Sequence, residues 1–260
     1  MGIINCTPDS FSEGEQFANI QEAIDFGLRL VEEGADILDI GGESTRPGAT
    51  AVSAEEELER VLPVMVGLKR QTDIPLSIDT QKASVAEKAL AAGATIINDV
   101  SAGESDPQML AVAAKTQATI CLMHKKGTPQ TMQQNPHYQD AVAEVYEYLQ
   151  KRITAALQAG VAPEKIWIDP GFGFGKRLED NVALLKNLNR FCSLGAPILV
   201  GTSRKSFIGE LLGGAKVENR LEGSLATLAI AVQQGAQIVR VHDVAATRKF
   251  LNIIMQCLPL

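Results

Sequence analysis

Apolar runs in this chain repeatedly end in side chains that can do chemistry. PLSIDT stops at Asp79, TIINDV reaches Asn98 and Asp99, IWIDPG stops at Asp169, and QIVRVHD finishes with Arg240, His242 and Asp243. Side chains two apart on a strand share a face. Arg240 and His242 therefore point together above Ile238, Asp79 shares a face with Ser77, and Asp169 stands over Trp167. Asp99 and Asp243 fall on the opposite parity and read as structural. Any one strand-end Asp could simply cap the next helix. Asp79, Asn98 and Asp169 at a single rim instead offer planar hydrogen-bonding groups suited to a flat heterocycle with several donors and acceptors. A carboxylate above a bulky inner layer needs donors, and ring N–H groups would supply them.

The basic groups form a second set. Arg46 lies in GGESTRPG, Arg204 and Lys205 in GTSRKSF, and Arg240 and His242 end the last strand-like run. In a ring of strands the loops after the seventh and eighth form the usual phosphate corner. The first strand closes beside the eighth and brings Asn5 to that corner. These cations could instead solvate the surface, but with a net charge of −7 their gathering at one rim favours an anion site. A diphosphate there would bring Mg²⁺, which takes few protein ligands, all oxygens, and Asn5 offers one. His124, His137 and His242 are the only histidines, and neither HExxH nor GxSxG occurs, so neither a zinc centre nor a nucleophile elbow is expected. The stretch Gly171–Lys176, GFGFGK, reads either as a mobile Gly-rich loop or as a tight turn.

Positioning such a rim requires alternating strands and helices. Apolar runs rich in Ile, Val and Leu predict strands over 2–7, 35–42, 75–80, 95–101, 119–124, 165–171, 197–203 and 236–243. Helical periodicity predicts helices over 20–33, 53–71, 82–92, 107–116, 140–159, 178–191, 219–234 and 246–257. Ser53-x-x-Glu56 reads as a capping box, with Ser84-x-x-Glu87 in the same role for the next helix. Gly34, Gly93 and Gly235 stand where left-handed helix ends are expected. Strict alternation implies parallel strands with helical crossovers, buried on both faces. Eight units, with no GxGxxG after the first strand, indicate a single (β/α)8 TIM barrel over residues 1–260, its active site at the C-terminal face of the strands. An open doubly wound sheet is the alternative. The longest irregular stretches, 8–19, 43–52, 125–139 and 172–177, all follow strands.

Acidic charge argues against non-specific nucleic-acid binding, and no apolar run approaches the ~20 residues of a membrane span. No secretion signal is visible. Cys6, Cys121, Cys192 and Cys257 are widely spaced without CxxC, so buried free thiols in a reducing, cytoplasmic compartment are expected. The segment LATLAIAV in the helix over 219–234 is apolar around most of its circumference, which predicts a homodimer through that helix.

Several segments in order carry a resemblance. Gly2–Ser12 (GIINCTPDSFS), Asp39–Gly48 (DIGGESTRPG), Asp169–Lys176 (DPGFGFGK), Ser203–Phe207 (SRKSF) and Arg240–Asp243 (RVHD) resemble the signatures of the dihydropteroate synthases. That resemblance implies a folate-pathway transferase joining 6-hydroxymethyl-7,8-dihydropterin diphosphate to p-aminobenzoate by an SN1-like displacement. It places the pterin against Asp79, Asn98, Asp169 and Lys205. Diphosphate and Mg²⁺ fall to Asn5, Arg46, Arg240 and His242, with Asn5 as the metal ligand. The aminobenzoate falls to Thr45, Pro47, Phe174, Ser203 and Lys205, where sulfonamides should compete. Asp79, Lys205 and Asn5 are the expected catalytic groups. His124-Lys125-Lys126-Gly127 departs from the family's usual apolar residue after Met-His. A pterin-binding barrel that transfers a methyl group would share the Asp/Asn clamp without needing the cationic corner. A catalytically silent pterin-binding paralogue is the other alternative.

Overall fold

A computed structural model describes residues 1–7, 16–46, 48–132 and 134–257. Among these, eight strands alternate with helices. They are β1 (Gly2–Asn5), β2 (Leu38–Gly41), β3 (Leu76–Asp79), β4 (Ile96–Asp99), β5 (Thr119–Met123), β6 (Ile166–Asp169), β7 (Leu199–Val200) and β8 (Ile238–Val239). β1 to β6 hydrogen-bond in chain order, all parallel, and β7 pairs parallel with β8. Two bridges, Ile168 with Ile198 and Gly2 with Val241, join these sheets at both seams. The amide of Ile168 donates to Pro197 at 2.9 Å and that of Val241 to Met1 at 2.9 Å. The ring is therefore closed, as the alternation predicted.

The helices are α1 (Gln16–Glu32), α2 (Ala54–Lys69), α3 (Ala83–Ala91), α4 (Met109–Thr116), α5 (Ala141–Gln158), α6 (Leu178–Lys186), α7 (Ser206–Leu211), α8 (Leu221–Gln233) and α9 (Val244–Cys257). Every predicted strand and helix is present, the strands cut back to the residues that make ladder bonds. The short α7 between β7 and α8 escaped prediction, because SFIGEL is too short to show a period. Register explains the two cores. Ile4, Ile40, Ile78, Ile97 and Ile120 lie side by side on the outer parity and are wholly buried under the helices. On the inner parity Met1, Cys121 and Leu199 pack with Ile37, Trp167 and Ile238 into a separate interior layer. That layer is a floor, and the polar strand ends stand above it.

The helix ends follow their chemistry, with one correction. Ser53 accepts the amide of Glu56 at 3.1 Å and caps α2. Gly34, Gly93 and Gly235 adopt φ of 96°, 111° and 100°, as a left-handed C′ position requires. Ser84 does not cap α3. The N-cap is Lys82, two residues earlier, which gives no side-chain bond, and the amide of Ala83 donates instead to Asp106 at 2.8 Å. A cap supplied from 23 residues away is invisible to a local motif. The thiols need correction too. All four are free, but Cys192 and Cys257 are exposed and only Cys6 and Cys121 are buried. No helix among the described residues is long and apolar enough to cross a membrane. Asp106→Ala should cost about 1 kcal/mol in urea unfolding, the usual loss of an N-cap acceptor, whereas Ser84→Ala should fall within ~0.5 kcal/mol of the parent. The reverse order would restore the local capping box.

Candidate active site

The barrel's inner parity carries Asp39, Asp79, Asn98 and Asp169 upward on β2, β3, β4 and β6. Gly41 pairs with Asp79, and Asp79 with Asn98, while Met123 pairs with Asp169. Gly41 leaves room, since a Cβ there would lie 3.3 Å from that of Asp79. Arg240 follows β8 and reaches across the ring to this row. Its Nε donates to Asp39 Oδ2 at 2.6 Å and its Nη2 to Asp79 Oδ2 at 2.7 Å. Asn98 Nδ2 donates to the same Asp39 oxygen at 3.0 Å. Two anions against one guanidinium leave negative charge uncompensated. Removal from water pushes the Asp79 carboxyl up from 3.8 to about 7. Arg240 pulls it back and Asp39 pushes it further up.

Asp169 is set by the Gly-rich stretch behind it. Its Oδ1 accepts the amide of Gly171 at 2.7 Å, and burial raises its pKa against the pull of that amide, Lys205, Lys176 and Arg240. The stretch is a tight turn. Gly171 and Gly175 have φ of 72° and 64°, and a Cβ on them would fall 1.9 Å from the His124 carbonyl oxygen and 2.2 Å from that of Lys126. Only glycine fits either place. Buried Lys176 stitches the turn from within. Its ammonium donates to the Gly171 carbonyl at 2.7 Å and the Phe174 carbonyl at 3.2 Å, and meets His124 Nδ1 at 2.9 Å. Three acceptors satisfy three N–H groups, yet burial lowers its pKa to about 7. His124, the histidine of the Met-His pair just before the family departure, therefore has work in the architecture. Phe174, held by this turn, lies under Lys205, whose Nζ is 4.1 Å from the ring centroid. Burial and the nearby Arg240 lower the Lys205 pKa to about 8.

The cationic corner lies on the other side of Arg240. Ser203 Oγ accepts the backbone N–H of His242 at 3.2 Å and stands 3.0 Å from its Nδ1. Burial, with Arg240 and Arg204 next, lowers the His242 pKa to about 4, so at neutral pH it contributes a hydrogen bond rather than the charge its place in the sequence suggested. Asn5, Arg46, His242, Arg204 and Asp243 line a cavity of about 980 Å³ that runs on between α1 and α9. Arg240 is absent from that lining because its guanidinium is turned inward. Arg204 is held by Asp243, with Nε at 2.9 Å from Oδ2. Asp99 accepts Ser101 and Gly103 amides at 2.7 and 2.6 Å. Both opposite-parity carboxylates are thus structural, as expected.

Thr45 is half-buried and Arg46 exposed in the loop after β2. The predicted aminobenzoate contact Pro47 lies outside the described residues, as does most of the stretch 8–19. Ser203 is spent on His242, whatever else it meets. Sequence reasoning passed over Asp39 and Lys176. Asp39 had a signal, a lone carboxylate in the apolar run ILDIGG on the same parity as Gly41. Lys176 had none beyond its place at the end of GFGFGK.

The match to known proteins is extensive. The family model described as pterin binding enzyme covers residues 1–242. A dihydropteroate synthase of Synechocystis is 48% identical over 253 residues, 97% of this chain and 88% of that protein. A dihydropteroate synthase of Xanthomonas albilineans, solved with 4-aminobenzoic acid, superposes with a TM-score of 0.93 at 52% identity, over 100% of this chain and 93% of that one. The Yersinia pestis enzyme, solved with a sulfonamide drug, gives 0.93 at 45% identity, over 98% and 92%.

The Asp79 titration has a definite sign. Because its folded pKa is raised, the favourable contribution of the protonated form is complete below 3.8 and is lost as pH rises through about 7. A carboxyl ¹³C resonance for Asp79 should titrate near 7, move up in Arg240→Met and down in Asp39→Asn. A midpoint near 4 in the parent would show the cluster to be more open to water than its geometry allows.

Proposed function

This chain belongs to the pterin-binding enzyme family and, within it, to the dihydropteroate synthases, and from that premise we propose how its rim carries out the reaction. The enzyme joins 6-hydroxymethyl-7,8-dihydropterin diphosphate to p-aminobenzoate and releases 7,8-dihydropteroate and diphosphate. The observation that carries the assignment of roles is Arg240 bound at once to Asp39 and Asp79, which fastens a cation from the phosphate corner to the row of acceptors. Ring-gripping and tail-gripping groups thereby meet in one mouth.

On this reading the pterin lies against Asp79, Asn98, Asp169 and Lys205, with Phe174 beneath the ammonium. Diphosphate falls to Asn5, Arg46, Arg240 and His242. The aminobenzoate lies near Thr45, Pro47, Phe174 and Lys205. Ser203 enters that set through its hold on His242. Sulfonamides compete for the aminobenzoate place, in keeping with the drug complex of the Yersinia pestis relative. The aniline nitrogen already carries its lone pair and needs no strong base. The slow event is departure of diphosphate from the CH₂ carbon. Fixed cations and donors stabilise the charge that grows on the leaving oxygen, and the Asp79 carboxylate stabilises the pterin cation left behind. The displacement is accordingly SN1-like, with bond breaking ahead of attack.

Magnesium fits this corner as an ion carried by the diphosphate. Among the described residues no group of three His, Cys, Asp or Glu could hold a metal alone. A Mg²⁺ that takes most of its oxygens from phosphate and water needs only one or two from protein, and Asn5 offers an amide oxygen. When bound it adds positive charge against the leaving group. The free thiols support a cytoplasmic setting.

A homodimer is also supported. Of α8 itself, Ile230 is exposed, and most of the greasy surface lies beside it, with Leu211, Leu212, Val217, Ile253 and Met255 exposed on the flanking segments. α8 packs against both α7 and α9, so these side chains can form one face of the kind that marks an interface.

Diphosphate release with both substrates and Mg²⁺ tests the function. Lys205→Ala and Asp169→Ala should each lose about 10²-fold or more in turnover, the scale of one transition-state contact, with unfolding midpoints near the parent's. Electron-withdrawing groups on the aniline should barely change the chemical rate, and a steep dependence would exclude the SN1-like order. Sedimentation at micromolar concentration should give a dimer that Ile230→Glu with Ile253→Glu splits, and a parent monomer would remove the proposed interface.

A further inference from the structure

We propose that Asp39 is a positioning residue that couples the two halves of the site, through a single carboxylate oxygen shared by the pterin clamp and the diphosphate corner. Oδ2 of Asp39 accepts both Asn98 Nδ2 at 3.0 Å and Arg240 Nε at 2.6 Å. The side chain is wholly buried in the middle of β2, below the level of Asp79, so it orients groups above it and stays beneath the substrates.

Its second oxygen makes the case. Oδ1 is buried without a hydrogen-bond partner among the described residues, and so is Ser77 Oγ, at the register position beside Asp39 on β3. Burying an unmet acceptor is unfavourable. A carboxylate there for stability would spread its donors over both oxygens, as Asp99 does with Ser101 on one and Gly103 on the other. Asp39 instead concentrates two donors on one oxygen, and those donors belong to opposite ends of the substrate. Asn98 has a planar amide with two possible settings, and accepting from its Nδ2 fixes its carbonyl oxygen away from Asp39. Arg240 has its Nε occupied by Asp39 and one Nη by Asp79, so its fork is fixed in the plane of those two carboxylates. A displacement of either donor changes the field and the room available to the other at the shared oxygen. Occupancy of the ring site and occupancy of the diphosphate site therefore reinforce each other through Asp39. An arginine held by Asp79 alone would lack this link.

The inference rests on the assignment of Asn98 to the pterin and Arg240 to the diphosphate, and its test uses binding, not turnover. Calorimetry would measure 6-hydroxymethylpterin without diphosphate, and inorganic diphosphate with Mg²⁺, each alone and in the presence of the other. In the parent each ligand should tighten the other. In Asp39→Asn both affinities should fall by about tenfold, the scale of one charge-assisted hydrogen bond, and the mutual tightening should vanish, while the KM for p-aminobenzoate stays within about twofold. Parent protein that binds neither ligand would overturn the assignment of function itself. Parent that binds both, with Asp39→Asn keeping both affinities and the coupling, would overturn the role of Asp39 alone. If Asp39→Asn does not fold, the ¹⁵N side-chain resonance of Asn98 in the parent decides. Inorganic diphosphate should shift it, and an unmoved resonance at saturation would refute the link.

Discussion

A half-buried guanidinium held by two carboxylates governs the mouth of this barrel. Arg240 directly follows the last strand, Asp39 and Asp79 come from the second and third, and the bonds at 2.6 and 2.7 Å span 201 and 161 residues of sequence. Charges removed from water are tolerable only when paired and hydrogen-bonded. These three can be paired only if the ring closes, because β8 must return beside β1 through the Gly2–Val241 bridge for Arg240 to face β2 and β3. Closure and site assembly are therefore one event. A sheet left open at the β8 seam would strand Asp39 and Asp79 without a cation. The arrangement is an unpromising source of net stability, since two anions share one cation and the desolvation cost falls on all three. Its value lies in geometry, which supports a binding role over a merely structural one.

The turn after β6 solves the complementary problem of holding a loop still without regular structure. Gly171 and Gly175 let the backbone come against the carbonyls of His124 and Lys126, and Lys176 gathers the Gly171 and Phe174 carbonyls and His124 Nδ1 around one ammonium. Tyr138 adds a bond from its hydroxyl to the Gly175 carbonyl at 2.8 Å. The segment after β5 is thus the mould in which the segment after β6 is cast. Asp169 and Phe174 inherit that fixity, one by accepting the Gly171 amide and the other by lying against Lys205. The departure from the family pattern that follows the Met123-His124 pair belongs to this mould, since the Lys126 carbonyl is one of the surfaces against which Gly175 lies.

Much of this was legible in the chain, and what was not has a physical reason. The period of the apolar runs located every strand, and the two-residue parity separated inward Asp79 and Asp169 from outward Asp99 and Asp243, because a parallel strand buried on both faces leaves only its polar ends to carry information. The candidate rim followed from that parity. Asp39 was hidden because its meaning lies in partners on β4 and after β8, beyond any local motif. The cap of α3 by Asp106 was hidden likewise. His242 was legible as a residue and illegible as a charge. Its proton is lost to burial beside Arg240 and Arg204, which only the assembled corner reveals. Lys176 carries no signal of its own in the sequence beyond closing GFGFGK, and its burial is sustained by the carbonyl and ring acceptors that converge on its ammonium.

The titration pattern fits the order of bond changes proposed. Asp79, pushed to about 7, and Lys205, lowered to about 8, both stand near neutral pH, so small changes in their surroundings shift their charge. A pterin cation forming beside Asp79 would favour its carboxylate, by the same attraction through which Arg240 already lowers that pKa. Diphosphate drawing on Arg240 would weaken the guanidinium's hold on Asp79 and make the carboxylate freer to answer the new cation. Neutral His242 avoids adding a further positive charge to a corner where Arg240, Arg204 and Lys205 already act on it. The electrostatics are thus balanced for the separated charges of the transition state. In the resting site the carboxylates outnumber the guanidinium between them, and that imbalance is what a departing anion and a nascent cation resolve together.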